Sequence, residues 1–141
     1  MKPSNVLLEP HPDGSFGVKL ADFGLARAYD DSRMSGLTLT GDICGTPAFM
    51  APEQILDFRN VGPPADIYST AATLYYLLTA AFIFDLPEGV IAACAMILEE
   101  ESVPIRERRT DVPAKLADAI HTGLEKNPVR RRLIHDPADT D

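Results

Sequence analysis

The sequence predicts an α+β fold, mostly α: a short β-hairpin, a long irregular loop, and then helices. Three observations predict it. Two short apolar runs flank a Pro-Asp-Gly turn near the start, periodicity lapses from Asp22 to about Pro52, and apolar residues recur at helical spacing through the second half. At 141 residues and 45% hydrophobic composition, the chain is long enough for one domain with a sizeable core.

The hairpin is read from residues 5–8 and 18–21, separated by a segment whose Pro12-Asp13-Gly14 favours a turn through fixed φ, local hydrogen bonding and tolerance of positive φ. The next stretch holds Gly24, Gly36, Gly41 and Gly45 among many hydroxyl residues, the composition of a functional loop. Helices are expected over 52–56, 65–79 and 89–100, and over 113–126, where Leu116, Ile120 and Leu124 share a face. Pro87, Pro104, Pro113 and Pro128 punctuate them. Arg106, Arg108 and Arg109 read as a polar loop, Glu99 to Glu101 as a solvated helix end, and residues 133–141 as an acidic tail.

Composition excludes several classes of function. A formal net charge of −8 leaves no excess of Lys and Arg to neutralise phosphates, so no nucleic-acid partner is expected. Cys44 and Cys94 are too few for a disulfide framework, and His11, His121 and His135 have no metal-ligand spacing. Residues 67–84 run 18 positions without a charge, the lower threshold for a membrane span. That run contains Ser69, Thr70, Thr73, Thr79 and three tyrosines and has no close basic flanks, so a helix buried in protein is expected and no membrane insertion. A helix there needs cover on more than one side, or an apolar patch is left exposed.

Chemistry concentrates in the first half. Lys2-Pro3-Ser4-Asn5 enters the first strand, Asp22-Phe23-Gly24 follows the second, and Gly45-Thr46-Pro47-Ala48-Phe49-Met50-Ala51-Pro52-Glu53 ends the long loop, with Asp66-Ile67-Tyr68-Ser69 after it. Any one of these would be weak; the order and approximate spacing of all four are highly specific. Over residues 1–132 the chain resembles a serine/threonine protein kinase catalytic domain of the eukaryotic-like, bacterial type. The part covered is the C-terminal lobe of that fold: catalytic loop, activation segment and lower helices.

The resemblance implies roles. Lys2 would touch the γ-phosphate of ATP, and Asn5 and Asp22 would be the hard oxygen ligands of Mg²⁺. Thr46 would link the substrate-binding loop to the catalytic Lys and base, and with Lys2 it favours Ser/Thr over Tyr as acceptor. Phe23 would report the state of the activation loop, and Gly24 would allow the sharp turn after the metal ligand. Glu53 and Arg131 would form a buried ion pair. Asp66 would brace the catalytic-loop backbone, although an N-cap would explain it locally. Ser32, Ser35, Thr38 and Thr40 are candidate phosphosites in the loop, with Thr38 and Thr40 preferred. Ala80 and Ile83 stand where the family often has Gly and Pro.

The implied function is transfer of the ATP γ-phosphate to Ser or Thr hydroxyls of a protein substrate. Counting back from Asn5 puts the general base one position before Met1, and the ATP-binding N-terminal lobe has no counterpart in these residues. The chain is therefore expected to be inactive alone, with Met1 a residue inside the catalytic loop of a longer protein that supplies the missing lobe. The alternative is a non-catalytic kinase-lobe remnant acting as a protein-binding module. The expected location is cytoplasmic, or the cytoplasmic domain of a membrane-anchored parent.

Overall fold

A computed structural model describes residues 1–21, 47–57 and 61–131. They fall into two units, one of residues 2–46 and one of residues 47–141 together with Met1.

The first unit opens on a single 3-10 turn, Pro3–Asn5, and continues into an antiparallel hairpin of β1 (Val6–Pro10) and β2 (Phe16–Leu20). The strands run farther toward the turn than apolar content suggested, because the tight loop itself extends the pairing. The His11 N–H donates to the Ser15 carbonyl at 2.8 Å, and the Gly14 N–H donates to His11 at 3.0 Å. The Asp13 carboxylate accepts from both the N–H and the hydroxyl of Ser15, and these bonds hold its pKa below the usual carboxylate value. Gly14 sits at φ 82°, where a β-carbon would be penalised.

Register decides the chemistry of the two faces. Val6 pairs with Leu20, Leu8 with Val18 and Pro10 with Phe16, so one face of the hairpin is wholly apolar. The other carries Leu7 with Lys19 and Glu9 with Gly17, and Lys19 reaches Glu9 at 2.7 Å in an exposed ion pair of little energetic weight. Most of the apolar face is open: Leu8, Phe16 and Val18 are each about two-thirds exposed. A lone two-stranded hairpin is marginal in water, so this face needs cover.

In the second unit a 3-10 turn, Pro47–Phe49, leads into α1 (Pro52–Leu56). The central helix α2 (Pro63–Thr79) is followed by α3 (Val90–Glu99), the one-turn α4 (Ile105–Arg108), α5 (Ala114–Gly123) and a last 3-10 turn, Pro128–Arg130. Four of these helices lie where periodicity puts them. The fourth in chain order, α4, falls in the stretch read as a polar loop, because one turn is too short to show a period.

Helix α2 is the hub of the core. It buries Ala65, Tyr68, Ala71, Ala72 and Tyr75, and Ile83, Phe84, Ile97, Ile105, Val112, Ala117, Ile120 and Leu124 close around that face. Its buried serine and threonine hydroxyls are used: Thr73 donates to the Ser69 carbonyl at 2.7 Å, and Ser69 donates to the Phe49 carbonyl at 2.9 Å. Polar residues that argued against a membrane span are thus satisfied inside protein. Among the described residues no helix is long and apolar enough to cross a membrane. Leu74 and Leu77, one turn apart on α2, remain 43% and 54% exposed, an uncovered apolar side of this helix.

Helices α2 and α5 approach closely at Gly123, where an added β-carbon would lie 2.8 Å from that of Ala71. Only a residue without a side chain permits this spacing. The start of α2 also differs from expectation: Pro63 and Pro64 occupy its first turn, as their fixed φ and missing N–H allow. Asp66 therefore lies inside the helix, exposed, and Gly62 is the N-cap. The local N-cap explanation of Asp66 falls away.

At the other end Ala80 adopts the left-handed conformation, φ 54° and ψ 20°, and its N–H donates to the Tyr76 carbonyl at 2.8 Å. A β-carbon in this region costs roughly 1–2 kcal/mol, part of which glycine loses again to its freer unfolded chain. Ala80→Gly is expected to stabilise the protein by up to about 1 kcal/mol. A rise in urea midpoint at unchanged slope would confirm it; a fall would show that the Ala80 methyl packs more than it strains.

Candidate functional site

The site residues proposed from sequence divide among three places. Lys2 and Asn5 lie at the entry to the hairpin, Glu53, Asp66 and Arg131 lie in the helical unit, and Asp22, Phe23, Gly24, Thr38, Thr40 and Thr46 lie outside the described residues.

At the hairpin entry Lys2 is extended, with φ −151° and ψ 159°, and exposed. Pro3 then starts the 3-10 turn, which the Asn5 N–H closes by donating to the Lys2 carbonyl at 3.0 Å. No ion pair among the described residues engages the Lys2 ammonium. Asn5 is half-buried, and its carbonyl accepts from the Ala21 N–H at 2.8 Å. That bond joins the far end of β2 to the start of β1. Lys2 and Asn5 thus flank one 3-10 turn, beside Ala21, the residue that follows β2.

The helical unit brings Glu53 and Arg131 together across 78 positions of sequence. Local chemistry prepares both partners. Pro52 opens α1, and the Gln54 side chain accepts from the Ala51 N–H at 2.8 Å, which leaves Glu53 in the first turn, where a carboxylate is favoured. Asn127 caps the last 3-10 turn by accepting from the Val129 N–H at 3.0 Å, and the backbone then delivers Arg131 into the core.

Every donor of the Arg131 guanidinium is used. One terminal nitrogen donates to Glu53 Oε1 and to the Pro64 carbonyl, and the other donates to Glu53 Oε2 at 2.9 Å and the Lys126 carbonyl at 2.9 Å. Nε donates to the Glu125 carbonyl at 2.6 Å. The side chain is fully buried, while that of Glu53 keeps 23% exposure. The guanidinium carbon also lies 4.9 Å from the Tyr68 ring centroid, a cation–π contact. Burial pushes the Tyr68 phenol well above its usual pKa, against the pull of Arg131 in the other direction, so the ring stays neutral. The arrangement ties α1, the start of α2 and the end of the described chain to one cation.

Sequence reasoning did not find the three carbonyls or the Tyr68 ring around Arg131. Backbone acceptors have no residue signature, so no signal was available. It also missed a second anchor, in which Arg108 donates from Nε to the Tyr75 hydroxyl at 3.0 Å and reaches Asp85 at 2.6 Å. Arg109 donates to the Leu78 carbonyl at 2.9 Å and pairs with Asp111. These arginines, read as loop charges, fasten α4 to the C-terminal half of α2.

Comparison with known proteins adds the family. The family model described as "Protein kinase domain" matches residues 1–138. Serine/threonine-protein kinase pkn3 of Myxococcus xanthus is 35% identical over 138 residues, covering 93% of this chain and 24% of the relative. Serine/threonine-protein kinase PknJ of Mycobacterium tuberculosis is 36% identical over 132 residues, covering 93% of this chain and 22% of the relative. The chain thus spans about a quarter of the length of these relatives. Among solved structures, Rad53 residues 1–466 in complex with AMP-PNP superposes with a TM-score of 0.66 over 93% of this chain and 30% of that one. At 24% identity that likeness shows the fold.

Proposed function

The chain belongs to the serine/threonine protein kinase family, and from that membership we propose that it carries the catalytic-loop, activation-segment and lower-helix portion, residues 1–132, of an enzyme that transfers the γ-phosphate of ATP to Ser or Thr hydroxyls of a protein. The carrying observation is the bond from the Ala21 N–H to the Asn5 carbonyl at 2.8 Å. It leaves residue 22 one peptide bond from the neighbour of Asn5. The Asn5 amide oxygen and the Asp22 carboxylate are the hard donors that Mg²⁺ prefers, and a primary ammonium one turn of backbone from Asn5 suits a γ-phosphate oxygen. Donor chemistry therefore fits ATP with Mg²⁺, the ion supplying charge neutralisation when bound.

Each residue then has one task. Asn5 and Asp22 hold the metal, Lys2 neutralises charge on the phosphate, and Thr46 orients the acceptor loop. In a complete kinase Asp66 would steady the catalytic backbone, Phe23 and Gly24 would serve the loop after the metal ligand, and phosphate on Thr38 or Thr40 would order that loop. On this reading the general base aspartate and the glycine-rich loop are not among these 141 residues, and phosphate transfer needs both. The apolar hairpin face and the open side of α2 at Leu74 and Leu77 are what the remainder of a complete kinase would cover. Such an enzyme works where ATP is held, in the cytoplasm or on the cytoplasmic side of a membrane-anchored parent.

A chimera tests the proposal: residues 1–131 of this chain replace the aligned part of the Myxococcus xanthus relative. The chimera is expected to phosphorylate a Ser/Thr-containing protein substrate with ATP, and to stop when Mg²⁺ is chelated. A folded, soluble chimera that transfers nothing would overturn the reading and favour a non-catalytic binding module instead.

A further inference from the structure

We propose that His121 is a titratable latch that holds the N-terminal end of α4 against the core, and that its protonation loosens that end. The Ile105 N–H, at the start of α4, donates to His121 Nε2 at 3.0 Å, and Ile105 is fully buried. A backbone amide can only donate, so Nε2 must present its lone pair and the ring proton must reside on Nδ1. Nδ1 faces the Ser102 hydroxyl at 3.4 Å, which can accept it. An imidazolium carries protons on both nitrogens. Protonation therefore turns the Ile105 contact into donor against donor and strips a buried amide of its acceptor.

The consequence reaches beyond one bond because of where α4 is tied. Arg108 in its last residue grips Tyr75 and Asp85, and Arg109 just past it grips the Leu78 carbonyl, all independent of pH near neutrality. The opposite end is held by the His121 ring together with the buried Ile105 side chain and the Val103 N–H, which donates to the Ile83 carbonyl at 2.9 Å. Loss of the ring acceptor loosens the first turn of α4 around the Ile105 amide, while the arginine end and the Val103 bond to Ile83 stay fastened.

The charges around the ring leave the switch intact. Asp118, one turn earlier on α5, favours the imidazolium, but burial is the larger effect and pushes the pKa of His121 below its ordinary value. Arg106, Glu107 and Arg108 on α4, Glu101 before Ser102 and Asp66 on α2 exert no comparable field. With the folded value depressed, the stability that neutral His121 contributes is present above the ordinary histidine pKa. It is lost as the pH falls below that value and through the lower folded one.

Amide hydrogen exchange on the full 141-residue chain tests this. The protection factor of Ile105 is expected to fall by roughly tenfold from about pH 7.5 to about pH 5.0, the scale of one unpaired buried donor. The Ala93 amide in α3 serves as the control and should hold. In His121→Gln an amide oxygen offers Ile105 an acceptor that does not titrate, and the fall should vanish. Equal falls in both proteins, or none in the wild type, overturn the latch. One reading does not depend on the variant folding: ring nitrogen shifts of the wild type at about pH 7.5 must report the Nδ1–H tautomer, and the Nε2–H tautomer would refute the proposal.

Discussion

Arg131→Ala is expected to remove about 3–5 kcal/mol of stability, a large part of the whole for a domain of this size. The magnitude follows from what truncation strands. Glu53 would be left as a carboxylate only 23% exposed, and the carbonyls of Pro64, Glu125 and Lys126 would each lose a donor. Tyr68 would lose the cation over its ring. Glu53→Ala should be of similar severity for the mirror reason, since it leaves a fully buried guanidinium with carbonyls alone. Arg131→Lys should recover little, because an ammonium cannot offer a planar fork to both carboxylate oxygens while reaching three carbonyls. Urea unfolding followed by far-ultraviolet circular dichroism measures all three. A loss under about 1 kcal/mol for Arg131→Ala would mean the pair behaves as an exposed one.

Asp22→Ala in the chimeric kinase is expected to lower phosphotransfer by about 10²–10³-fold, the usual cost of deleting one charge stabiliser from a reacting centre. Stability should hardly change if Asp22 has the proposed role, because a metal ligand contributes to the reaction rather than to the core. Asn5→Ala should also impair transfer, with part of its effect structural if the turn before β1 loosens. The readout that separates these roles is the dependence of rate on Mg²⁺ at a fixed ATP concentration. Loss of a ligand raises the concentration needed, whereas a misplaced backbone lowers the plateau. A rate within about threefold of the parent for Asp22→Ala would remove Asp22 from the metal site.

Much of this was legible before any coordinates, for identifiable reasons. The hairpin announced itself through Asp13 and Gly14, whose turn chemistry is local, and α1, α3 and α5 through apolar period and proline punctuation. The motif set from Lys2 to Glu53 is contiguous enough in sequence to read as chemistry without a fold. What stayed hidden is non-local. The one-turn α4 has no period, the Ile105 amide that needs His121 lies 16 residues away, and Arg108 meets Tyr75 across 33 positions.

By itself the sequence determined the family and the order of the longer elements, and it named the candidate groups for phosphate and metal, because each rests on residues close in the chain. Tertiary structure alone decided that Arg131 finds five acceptors, that His121 must stay neutral at Nε2, and that Gly123 must lack a side chain against Ala71. Those facts depend on distances between segments far apart in sequence. They arise only once α2 is buried and each polar atom around it must find a partner or bear the cost of having none.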